Sequence, residues 1–81
     1  MNTPSNAFHK GPTQAITLQV NGETQTCQMG ISLPDFLIQI GLNPKLVAVE
    51  YNGEILARPL WHSTQLQNRD RLEIVTIVGG G

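Results

Sequence analysis

Arg71-Leu72-Glu73-Ile74-Val75-Thr76-Ile77-Val78-Gly79-Gly80-Gly81 closes the sequence, and how it is read decides the fold. Leu72 and Ile74 fall on one side of an extended chain, Val75 and Ile77 on the other. β-Branched residues dominate, so Arg71 to Val78 reads as a strand placed inside a sheet. Two burial schemes fit. A central strand covered on both faces is the plainer one. In the other, the sheet is covered on one face only, and Val75 and Ile77 form an exposed apolar patch beside the glycines, as on a partner-docking surface. Gly79, Gly80 and Gly81 have no side chains to pack and are expected to form a flexible tail, thin enough to enter a channel that excludes side chains. Extended, three residues reach roughly 10 Å. Their α-carboxyl, with an ordinary pKa of about 3.3 to 3.7, is ionised at neutral pH. Such a group can attack an activated phosphate, become an acyl-adenylate, and accept sulfur or an amine. A frayed end without function is the bland alternative, and a triple-glycine ending alone does not choose between them.

The 81 residues suffice for one small domain with a modest core. With 40% apolar and 14% charged residues and a net charge of −1, the composition is that of a soluble globular protein. It offers no basic excess for nucleic acid and no polybasic face for a membrane. Cys27 is the only cysteine, which excludes an internal disulfide and a cysteine-based zinc cluster and fits a reducing cytoplasm. No apolar stretch approaches the roughly 20 residues of a membrane helix, and the N-terminus has neither a secretion-signal core nor an Arg-rich transit pattern. Cytoplasmic residence is the expectation.

Upstream of the final strand the punctuation is clear. Residues 1–14 carry Pro4, Gly11 and Pro12 among polar residues, with Phe8 the only large apolar group, and read as a flexible leader before a domain spanning 15–78. Ile16, Leu18 and Val20 alternate with polar residues, Asn21-Gly22 signals a type I′ hairpin turn, and Glu23 to about Gln28 returns antiparallel. Ser32 and Asp35 mark a helix start of capping-box form, with Pro34 tolerated in the first turn. Leu33, Phe36, Leu37 and Ile40 make one apolar stripe before Gly41 and Pro44 end the helix, which spans roughly 33–40. Leu46 to Tyr51 is a strand, Asn52-Gly53 repeats the hairpin signal, and Glu54 to Ala57 is a short return. Residues 58–64 are irregular with room for one helical turn, and Trp61 and Leu66 are expected as satellite core. Asn68-Arg69-Asp70 is a polar turn. One helix covers only one face of a sheet.

Taken in order, the hairpin Ile16 to Gln28, the run Val47-Ala48-Val49-Glu50-Tyr51-Asn52-Gly53-Glu54-Ile55, the segment Asp70 to Val75 and the ending Val78-Gly79-Gly80-Gly81 resemble the sulfur-carrier family of thiamine biosynthesis, ThiS. The resemblance covers the chain from about residue 15 to its end. It implies an α+β, ubiquitin-like β-grasp fold: a mixed four- to five-stranded sheet, one main helix on one face, and the last strand central and parallel to the first. It also implies a chemistry. An E1-like adenylyltransferase would use MgATP to adenylate the Gly81 carboxylate, and sulfur from a cysteine desulfurase persulfide would convert it to a thiocarboxylate. Thiazole synthase would then accept that sulfur. Gly80 and Gly81 match the functional pair, with Gly79 an extra spacer. The protein would be a cosubstrate, with no catalytic residue, metal or bound cofactor of its own.

Two other readings keep the glycine tail. One is another sulfur carrier, of the molybdopterin synthase small-subunit type or for cysteine or tRNA sulfur; the other is a ubiquitin-like modifier joined to lysine. Candidate partner-binding residues are Val75, Ile77 and Val78, with Arg58 and Arg71 able to meet an acidic partner. Arg69, Asp70, Arg71 and Glu73 alternate in sign and read as a solvated turn. His9 and His62 read as solvated, without metal-ligand spacing. Cys27 reads as a buried or half-buried small residue before it reads as a redox thiol.

Overall fold

Along β1 (Ala15–Val20) every second residue, Ile16, Leu18 and Val20, is buried. Asn21 and Gly22 take φ of 51° and 83°, the left-handed pair a type I′ turn requires. The chain then returns antiparallel as β2 (Glu23–Gln28), with Ile16 opposite Cys27 and Val20 opposite Glu23. The computed structural model describes residues 14–77. The expected leader, apart from Gln14, and Val78 to Gly81 lie outside them.

Helix α1 (Leu33–Gln39) starts where Ser32 Oγ accepts the Asp35 N–H at 3.2 Å. It ends where Gly41, at φ 91°, donates to the Ile38 carbonyl. Leu33, Phe36 and Leu37 are fully buried and Ile40 packs at the rim, so the stripe read from the sequence is the face laid on the sheet. Burying each such side chain contributes about 1.5–3 kcal/mol.

Leu46, expected to open the third strand, instead closes a 3-10 turn, Pro44–Leu46, and is 53% exposed. Pro44 brings a helix-ready φ and no N–H, and the Asn43 side chain caps the turn by accepting from Lys45 N–H at 2.9 Å. Strand β3 (Val47–Tyr51) follows. Asn52 and Gly53 repeat the positive-φ turn, and β4 is only Glu54–Ile55, shorter than the expected 54–57. Past Ile55 the chain bends into a second 3-10 turn, Arg58–Leu60, and Trp61 Nε1 holds the bend by donating to the Leu56 carbonyl at 2.9 Å. Trp61 and Leu66 are not satellites: both are buried in the one cluster with Phe36, Leu18 and Leu72.

The last strand, β5 (Arg71–Thr76), lies at the centre of a five-stranded sheet of order β2-β1-β5-β3-β4. It runs parallel to β1 and antiparallel to β3. This is the mixed sheet with one helix, and the placement of the final strand, that the β-grasp expectation required.

Candidate functional site

Register decides which side chains share the uncovered face. On β5, Leu72 and Ile74 point at the helix and are buried, while Glu73 and Val75, and Ile77 just past the strand, are exposed on the other side. Val75 sits opposite Ala48 and Glu73 opposite Glu50 on β3, and Glu50 in turn faces Ile55 on β4. Val75 is 62% exposed, Ile77 45% and Ile55 80%. Among the described residues the helix covers one face and nothing covers the other, so the doubly buried strand is set aside in favour of the exposed apolar patch. Its centre is a shallow depression of about 110 Å³ lined by Ala48, Glu50, Ile55, Glu73 and Val75. Glu50 and Glu73 stand directly opposite each other there, a like-charge pair that disfavours the isolated sheet. Towards β1 the same face turns polar, with Thr17, Gln19 and Arg71 around a second groove.

The patch follows the last strand as far as Ile77, the last described residue. Ile77 N–H is still bonded to the Leu46 carbonyl at 2.7 Å. Val78, Gly79, Gly80 and Gly81, the remaining candidates, lie outside the described residues. Beyond Ile77 four residues remain, a reach of about 13–14 Å if extended.

Arg58 has a definite structural engagement. Its guanidinium donates to the carbonyls of Pro44 at 2.9 Å and Val47 at 2.7 Å and stacks over the Trp61 ring, 4.7 Å from the centroid. It therefore ties the two 3-10 turns together on the side away from the apolar patch. Arg71 is exposed at the open face, its backbone N–H held by Asn52 Oδ1 at 2.8 Å.

Of the charges expected in a solvated turn, Arg69, Arg71 and Glu73 are exposed, and Asp70 alone needs correcting. Asp70 is buried, and its carboxylate accepts from Tyr51 Oη at 2.5 Å, Gln67 N–H at 2.8 Å and Asn52 Nδ2 at 3.2 Å. Burial, then the hydrogen bond and charge of Asp70, push the Tyr51 phenol up to about 12. This cluster anchors the start of β5. Asn52 makes its own turn and also reaches across to Asp70 and Arg71, a second role that its Asn-Gly pair did not reveal.

Cys27 is buried on the helix side of β2, and burial followed by the charge of Asp70 raises its thiol pKa, so it remains a protonated packing residue. His62 is exposed. Among the described residues no group of three His, Cys, Asp or Glu side chains could hold a metal, and no helix is long and apolar enough to cross a membrane. The open face thus carries exposed apolar side chains, Val75, Ile77 and Ile55, around a shallow depression.

Comparison with known proteins bears on what such an arrangement serves. The model of the ThiS family matches residues 18–81. The chain is 47% identical over 66 residues to the ycf40 protein of Pyropia yezoensis, a match covering 82% of this chain and 93% of that one. It is 38% identical over 65 residues to the sulfur carrier protein ThiS of Bacillus subtilis, covering 79% of this chain and 98% of that protein. It is also 34% identical over 66 residues to a thiazole synthase of Magnetococcus marinus, where the match takes up 82% of this chain but 20% of the relative. Among solved structures, the crystal structure of the thiamine biosynthesis protein ThiS of Geobacter metallireducens superposes with a TM-score of 0.70 at 29% identity. That match covers 82% of this chain and all of the other.

Proposed function

The chain belongs to the ThiS family, and from that premise we propose that it is a sulfur carrier of thiamine biosynthesis whose working group is the carboxylate of Gly81. One observation carries the reading: the family match runs through the last glycine, residues 18–81, and so includes the chain end together with the fold that presents it. The carboxylate attacks the α-phosphorus of MgATP in the site of an E1-like adenylyltransferase, and pyrophosphate leaves. The acyl-adenylate is a good electrophile where the carboxylate was a poor one. The terminal sulfur of a persulfide, charged by a cysteine desulfurase, then attacks the acyl carbon and AMP leaves; a thiolate attacks the other sulfur of the resulting acyl disulfide, so that a disulfide forms on the partner and a thiocarboxylate is left on Gly81. Thiazole synthase takes up that sulfur, a pairing supported by the relative in which one-fifth of a thiazole synthase chain is similar to this protein.

The rest of the molecule contributes presentation. The open face around Val75, Ile77 and Ile55 offers apolar area to the partner, and the partner supplies the nucleotide site and the catalytic groups. Removing Gly81, or adding one residue after it, is expected to leave the thermal transition unchanged and to abolish ATP–pyrophosphate exchange by the adenylyltransferase. Exchange that survives either change contradicts the reading.

A further inference from the structure

Strand β5 outruns its parallel neighbour. The register sets Gln19 opposite Arg71 and Val20 opposite Leu72, and β1 ends at Val20. Odd-numbered residues of this segment bond towards β3: Asn52 N–H donates to the Arg71 carbonyl at 2.8 Å and Ile77 N–H to the Leu46 carbonyl at 2.7 Å. Even-numbered ones face β1, where the Asp70 carbonyl accepts from Gln19 N–H and the Leu72 carbonyl from Asn21 N–H, both at 2.9 Å. At Ile74 the neighbouring strand has already turned away, and the Asn21 side chain stands in for it. Its Oδ1 accepts the Ile74 N–H at 2.7 Å, and its Nδ2 donates to the Ile74 carbonyl at 3.1 Å. That uses up the amide. Thr76 comes next on the same edge, and among the described residues its N–H and carbonyl have no partner there.

Natural sheets blunt open edges with proline, charge or cover. Here the cover stops two residues short, at the point where the chain continues through Val78 into three glycines. We propose that the edge at Thr76 is a strand-addition site, where a partner protein lays an extended segment of its own backbone against β5 and thereby aims the glycines into its reaction site. Backbone pairing of this kind uses every second residue, and after Ile74 the next rung on this edge among the described residues is Thr76. A fixed rung close to the glycines shortens the length of chain that must be ordered when the partner takes up the tail. The proposal rests on the carrier reading above and adds where the partner grips.

Amide hydrogen exchange on the full chain, alone and bound to the adenylyltransferase, tests it. Alone, Thr76 is expected to exchange fast, while Val75 and Ile77, bonded to β3, exchange slowly. In the complex, Thr76 is expected to slow by about tenfold or more. If adenylation proceeds and Thr76 exchange stays fast, the strand addition is overturned and the carrier reading stands. If neither complex nor adenylate forms, both fall. Protection of Thr76 that appears in the chain alone and grows with its concentration puts a second copy on the edge and also overturns the proposal. Thr76→Pro removes the edge N–H and no bond to β3, and is expected to weaken partner binding roughly three- to tenfold relative to Thr76→Val, which keeps it. Equal affinities of the two variants contradict the proposal, and the exchange measurement on the unaltered chain decides if Thr76→Pro fails to fold.

Discussion

Asp70 shows how far one side chain can depart from its local pattern. Between Arg69 and Arg71 it looked like part of a solvated charge run, yet it is buried and accepts three hydrogen bonds, from Tyr51, Asn52 and Gln67. Two of those partners lie 19 and 18 positions earlier in the chain, and nothing in a single sequence connects them. Asp70→Asn replaces one acceptor oxygen by a donor facing other donors, and is expected to cost about 1–3 kcal/mol, read as a lower thermal midpoint. Tyr51 is the only tyrosine, so phenolate absorbance reports on it alone. With its pKa pushed up to about 12, the folded protein holds a proton that the unfolded chain releases near pH 10. The stability linked to that proton is complete below about pH 10 and is lost as pH rises towards 12. Stability measured across this alkaline range is expected to fall more steeply for the wild type than for Tyr51→Phe. Parallel curves would deny the coupling.

Strands, turns and helix were legible wherever a local rule suffices. Alternation gave β1, the Asn-Gly pairs gave both hairpins, and Ser32 with the Leu33, Phe36, Leu37 stripe gave α1 within a residue of its bounds. Where tertiary contacts set the boundary the reading slipped. Asn43 and Pro44 drew Leu46 out of β3, and the Trp61 indole, by holding the Leu56 carbonyl, cut β4 short. Asn21 combines both cases: its turn was legible, and its two bonds to Ile74 were not. Asn21→Gly keeps the positive φ and deletes only those bonds, so it is expected to destabilise by about 1–3 kcal/mol, two neutral hydrogen bonds' worth. In chemical denaturation an unchanged midpoint would show that the side chain does not fasten β5 to β1.

A body of this size has little surface to spare, and the exposure of Val75, Ile77 and Ile55 on one sheet face is what the carrier proposal asks of a surface that meets a partner. Sequence alone posed the alternatives, covered or open, because a strand apolar on both sides satisfies either; only the single helix and the register resolve them. Ile77→Glu is expected to weaken binding to the adenylyltransferase by about tenfold with the thermal midpoint little changed, since the residue is already half in solvent. Unchanged affinity would remove Ile77 from the interface. The assignment of Gly81 is most directly tested by intact-mass analysis after incubation with MgATP, the adenylyltransferase and a persulfide sulfur donor. The carrier account predicts the gain of one oxygen-for-sulfur exchange, located at the C-terminal glycine; an unaltered mass, or a stable amide link to another protein's lysine, would contradict it.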